Sequence, residues 1–132
     1  MKPITSEWID KAEADLATAR REIDALDKPN YDAVCFHTQQ CAEKYLKACL
    51  QEADISFRKT HDLSELLDST LSIDPTLESW RPDLNSLSAF AVEYRYPGES
   101  ADLDEAQEAF QNARAFARSS VGHYIWRTRI TP

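Results

Sequence analysis

Three groups of residues in this chain have the types and spacings needed to hold an anion or move a proton. The first is a helical strip. At about 100° per residue, His37, Gln40, Lys44, Lys47 and Gln51 fall within an arc roughly 80° wide, so one side of a helix carries an imidazole, two ammonium groups and two amides. Ammonium and amide N–H groups are the donors a phosphate or nucleotide needs. The same pattern also describes a solvated face whose i,i+3 and i,i+4 neighbours support the helix. The second group is Lys59-Thr60-His61-Asp62-Leu63 at a loop-to-helix junction, where Thr60 or Asp62 can cap and free backbone N–H groups can meet an anion. Separately, Tyr94-Arg95-Tyr96-Pro97 reads first as a helix stop and second as an aromatic and cationic platform for a base or phosphate.

The third group is Arg118 and His123 near the end of the last predicted helix. A five-residue offset in a regular helix turns two side chains about 140° apart, so this pair converges only with help. Gly122 can distort the helix, or a dimer can bring the two side chains together from both chains. Once converged, His acts as general acid or base and Arg stabilises a pentacoordinate phosphorane, which supports metal-independent RNA cleavage by the 2′-hydroxyl.

Other chemistries find no support. The chain has no phosphate-binding glycine loop, no His-x-x-x-His zinc pair and no glycine-framed serine, so no cofactor and no metal is expected. Cys35, Cys41 and Cys49 are spaced like neither a zinc motif nor a disulfide framework and read as buried reduced thiols. A formal net charge of −8 disfavours indiscriminate DNA or RNA binding through a globally basic surface, while leaving room for local basic clusters. No apolar run approaches the roughly 18 residues of a membrane span, and the N-terminal residues lack the apolar stretch of a signal peptide. With an odd number of cysteines, the expected address is the reducing cytoplasm.

The elements that must position these groups are helical. A chain of 132 residues, 42% hydrophobic, is one ordinary domain in size, and residues 1–132 read as a single domain. Two glycines and six prolines in a sequence rich in Ala, Leu, Glu, Lys and Arg give an all-α expectation. The spacing predicts a first helix over about Ser6 to Leu26 with Thr5 as cap and an Ile4–Ile9 staple, and a second over Tyr31 to Ala53 capped by Asn30. Val34, Thr38, Cys41, Ala42, Tyr45 and Cys49 form the inward stripe of that second, central helix. A short third helix covers His61 to Leu71, and a fourth runs from Arg81 or Pro82 to Tyr94, stopped by Tyr96-Pro97-Gly98. The fifth starts near Asp102 with Glu105 as capping-box partner, and its stripe continues through Val121 and Tyr124. Four long helices and a short one with modest loops make an antiparallel helical bundle. Phe36 and Leu50 fall outside the central helix's apolar arc, and a homodimer interface would occupy them.

Three blocks together resemble a known family. Cys35-Phe36-His37-Thr38-Gln39-Gln40-Cys41-Ala42-Glu43-Lys44-Tyr45-Leu46-Lys47-Ala48, then Lys59-Thr60-His61-Asp62-Leu63, then Tyr94-Arg95-Tyr96-Pro97 look like the HEPN (higher eukaryote and prokaryote nucleotide-binding) domain. That resemblance implies a helical bundle that usually dimerises and associates with nucleotides or RNA, often beside a separate minimal nucleotidyltransferase. It carries over His37, Gln40, Lys44, Lys47, His61, Asp62, Tyr94 and Arg95 as binding residues. In the toxin branch of the superfamily, an Arg followed after four to six residues by a His cleaves RNA, and Arg118 with His123 meets that spacing. Here Ser119 follows Arg118, Tyr124 directly follows His123, and Ile125 stands where that branch often carries tyrosine. The leading expectation is a nucleotide- or RNA-binding module acting with a nucleotidyltransferase. The alternatives are a toxin-type ribonuclease and a helical interaction scaffold.

Overall fold

The computed structural model describes residues 1–119 as five α-helices. They are α1 (Pro3–Ile23), α2 (Tyr31–Glu52), α3 (Leu63–Thr70), α4 (Arg81–Glu93) and α5 (Leu103–Ala117), and a 3-10 segment, Pro75–Trp80, precedes α4. The last of these was not anticipated; Asp74 starts it by accepting from the Thr76 N–H at 3.0 Å.

Helix α1 begins at Pro3, ahead of the predicted start near Ser6. A proline at the first helical position gives up an N–H that would have had no intrahelical partner, and its φ is already helical. Thr5 is therefore inside the helix, buried, and its hydroxyl donates to Glu52 Oε1 at 2.9 Å instead of capping. At the far end the Asn30 N–H donates to Glu22 Oε1 at 2.6 Å. These two contacts tie opposite ends of α1 and α2 together and make the pair antiparallel. Leu26, expected on the buried stripe, is exposed because α1 ends at Ile23 and the chain reverses through Lys28, whose φ is 47°. Asn30 then caps α2, accepting from the Ala33 N–H at 3.0 Å.

Helix α2 packs against α1, α3, α4 and α5. Its expected stripe is buried, and so are Cys35, Gln39, Glu43, Leu46, Lys47, Ala48 and Leu50 from the rest of its circumference. Leu50, expected to lie outside a monomer's core, is fully enclosed, which a wheel drawn for one buried face cannot anticipate. Phe36 alone of that pair remains exposed, at 41%.

The remaining caps define where each element stops. Asp62 accepts from the N–H groups of Ser64 at 3.0 Å and Glu65 at 3.2 Å, so α3 opens at Leu63 and His61 stays outside it. Helix α4 stops at Glu93, and the chain turns away through Gly98 at φ 101°, a value that favours glycine. The capping box of Asp102 and Glu105 opens α5 as expected. Among the described residues that helix ends at Ala117, with Arg118 as its C-cap. The Ser119 N–H bonds to the Phe116 carbonyl at 3.0 Å and its hydroxyl donates to the same oxygen. Val121, His123 and Tyr124 lie outside the described residues.

Leu46, Leu63, Leu66, Leu67, Leu77, Leu84, Leu87 and Phe116 form the main core around α2. A smaller cluster of Ala19, Val34, Ala106 and Phe110 joins α1, α2 and α5. Replacing Leu50 by Ala should lower unfolding stability in urea by about 2–5 kcal/mol, whereas Phe36→Ala should change it by no more than about 0.5 kcal/mol. Equal effects would contradict the burial described.

Candidate functional site

The polar strip of α2 divides in two once α1 is in place. On one side Asp15 of α1, a mostly buried carboxylate, accepts from His37 Nδ1 at 2.8 Å and from Lys44 Nζ at 2.5 Å. On the other, Glu43 and Lys47 are 2% and 5% exposed and form an ion pair of 3.1 Å one helical turn apart. The Trp8 ring covers the ammonium, with Nζ 5.4 Å from its centroid. The expectation that Lys44 and Lys47 stand free on a surface strip is thus corrected, because each faces a carboxylate that has left water and must be matched.

Glu43 organises more than Lys47. Its Oε1 also faces His61 Nδ1 at 2.9 Å and Gln39 Nε2 at 3.4 Å. Gln39 Nε2 donates to the His61 carbonyl at 3.2 Å as well, and Gln40 Nε2 donates to Gln39 Oε1 at 2.8 Å. The junction is held from outside by Arg58, which grips Glu65 through two bonds of 2.6 and 2.8 Å and keeps that carboxyl below its usual range. The His61 ring remains largely open to solvent on the side away from Glu43.

Beside this network lies a groove of about 320 Å³. Phe36, Gln39 and Gln40 of α2, His61 of the junction, Ser88, Ala91 and Val92 of α4, and Arg95 just beyond α4 line it. Among the sequence-predicted site residues, Gln40, His61 and Arg95 come together here. His37, Lys44 and Lys47 are engaged by the carboxylates just described. Asp62 is the α3 cap, and Tyr94 closes α4 with its ring stacked on Phe90 at 6.3 Å. Gln39, Glu43 and Ser88 were missed. The Glu43–Lys47 spacing of one helical turn was a readable signal for a pair, but nothing local showed that it would be buried.

Arg118 lies elsewhere, in a depression of about 400 Å³ between α1 and α5 that it shares with Arg20, Arg114 and Phe110. Arg20 sits over the Phe110 ring at 5.5 Å. His123 is outside the described residues, so the distance between Arg118 and His123 is not part of this geometry.

The thiols offer no nucleophile. Burial, with the nearby Asp32, pushes Cys35 up to about 12, and burial with Asp74 does the same for Cys49. Cys41 is raised further by its deeper burial. Among the described residues no cluster of His, Cys, Asp and Glu is arranged to hold a metal ion, and no helix is long and apolar enough to cross a membrane.

Comparison with known proteins places this helical bundle in a family. The sequence profile of the HEPN domain matches residues 5–123, and the chain belongs to the HEPN domain family. A crystal structure of an archaeal HEPN homologue superimposes with a TM-score of 0.68 at 27% sequence identity, covering 95% of this chain and 99% of that one. No curated protein matches the chain.

Replacing Lys47 by Ala should leave Glu43 as an under-compensated buried carboxylate and reduce unfolding stability by about 3–5 kcal/mol. Arg95→Ala, at an exposed position, should stay within about 0.5 kcal/mol of wild type in the same urea titration.

Proposed function

We propose that this HEPN domain binds a nucleotide in the groove between α2 and α4. One observation carries the reading: the three sequence blocks that resemble the family, distant along the chain, contribute Gln40, His61 and Arg95 to the same 320 Å³ groove. That volume lies at the lower end of the roughly 300–1,000 Å³ of small-molecule sites. Phe36 offers a ring face for a base, the Gln40 amide and His61 offer hydrogen bonds to its edge, and the Arg95 guanidinium suits a phosphate. A net charge of −8 opposes long-range attraction of a polyanion, which favours recognition of a small ligand by contact.

A minimal nucleotidyltransferase and a second copy of the chain complete this reading as partners. Sedimentation of the free protein at the single-chain mass of 15.1 kDa would remove the second copy. Calorimetric titration with mononucleotides tests the groove. Arg95→Ala should weaken binding about tenfold, the equivalent of one charge-assisted contact. Unchanged affinity in that variant would displace the ligand from this groove.

A second reading, a metal-independent endoribonuclease using Arg118 and His123, draws support from the three arginines of the α1–α5 depression. Neither Arg114 nor Arg118 has a side-chain partner among the described residues. Labelled RNA incubated with the protein in excess chelator should then be cut by wild type and spared by His123→Ala. Intact RNA in both samples would eliminate this reading.

A further inference from the structure

We propose that the buried Glu43 sets the hydrogen-bond polarity of the α2–α4 groove, so that it selects nucleotides whose base carries an exocyclic amino group; the proposal rests on the nucleotide reading above. A carboxylate only accepts hydrogen bonds, so each group turned toward Glu43 must donate. Lys47 matches its charge at 3.1 Å, and Gln39 Nε2 and His61 Nδ1 complete its shell at 3.4 and 2.9 Å. Gln39 has no freedom in which end of its amide points inward. Its nitrogen stands between two acceptors, the Glu43 carboxylate and the His61 carbonyl at 3.2 Å.

The orientation then propagates outward. With its nitrogen committed, Gln39 presents Oε1 to its neighbour, and Gln40 must answer with Nε2, at 2.8 Å. The Gln40 Oε1 is left as an acceptor without a protein partner among the described residues. His61 follows the same rule. A neutral imidazole can satisfy the carboxylate only through a proton on Nδ1, and its Nε2 is then left as a second acceptor. The two polar atoms of these groove-lining side chains that make no protein hydrogen bond are therefore both acceptors, and the second hydrogen of Gln40 Nε2 is the one donor left beside them.

Two acceptors call for two hydrogens. The exocyclic amines of adenine, cytosine and guanine each supply a pair of N–H donors, whereas the carbonyl that replaces the adenine amine in hypoxanthine would set an acceptor against acceptors. A site built to receive N–H groups rejects the analogue lacking them, because its own polar atoms then go unpaired. This also explains the placement of a charged pair within the core. Replacing the pair by apolar side chains would be neutral or favourable for stability, but the amide and imidazole orientations would then be undetermined.

The test is calorimetric titration of the whole chain at pH 8 with AMP, GMP and IMP, and with CMP against UMP. AMP and GMP should bind about tenfold more tightly than IMP, and CMP more tightly than UMP by a similar factor. In Glu43→Gln combined with Lys47→Met, the AMP-to-IMP ratio should fall to about twofold or less, since a glutamine can donate to His61 and reverse the chain. Gln40→Leu, at a partly exposed position, removes one acceptor without touching the core and should reduce the same ratio if the double variant does not fold. Tight but equal binding of AMP and IMP by wild type overturns this proposal and leaves the nucleotide reading standing. A ratio unchanged in folded variants overturns the role of Glu43, and no binding of any mononucleotide overturns both readings.

Discussion

Helix α2 is enclosed by four other helices, and every polar side chain on it that loses water must find a partner inside the protein. Thr38 does so within its own helix, donating to the Val34 and Cys35 carbonyls at 2.8 and 3.1 Å. Glu43 and Lys47 answer one another, and the carboxylate's remaining lone pairs draw in Gln39 and His61. Among the described residues no buried side-chain nitrogen or oxygen is left unpaired. The groove's polar wall is the outer end of this obligation: satisfying a buried charge orders side chains that also face solvent.

The charge distribution follows the same logic. Several described cations are held close by carboxylates: Lys2 by Asp54, Arg58 by Glu65, Arg81 by Asp68 and Glu78, and Lys44 by Asp15. Arg95, Arg114 and Arg118 have no such partner among the described residues. In a chain of net charge −8, unpaired guanidiniums are the places where an anion gains most by arriving. They lie at two separate surfaces, one beside the amide and imidazole wall and the other between α1 and α5. The two functional readings differ in which surface they use.

Where the local chemistry is decisive, the sequence and structure agree. Asn30 ahead of α2 and the Asp102–Glu105 box ahead of α5 are legible because a cap is a contact between residues three apart. The inward stripe of α2 is legible because helical period and apolarity coincide there. Leu50, Leu26 and Thr5 were misplaced for one reason: each depends on where another segment lies. Leu50 is covered on a second face of α2, Leu26 falls in a reversal that had to precede Asn30, and Thr5 has Glu52 as a neighbour only because α1 and α2 run antiparallel.

The candidate site divides along the same line. By itself the sequence determined the helical class, the order of the helices, their caps and the three blocks that mark the family, because these rest on residue type and on neighbours a turn away. Only the tertiary structure decided that Lys44 and Lys47 serve the carboxylates of Asp15 and Glu43, and that Gln40, His61 and Arg95 share a groove with Phe36 and Ser88. Helical spacing gives a side chain's direction about its own axis. What stands in that direction, a partner charge, a packed ring or open solvent, is set by segments that the chain brings back from dozens of residues away.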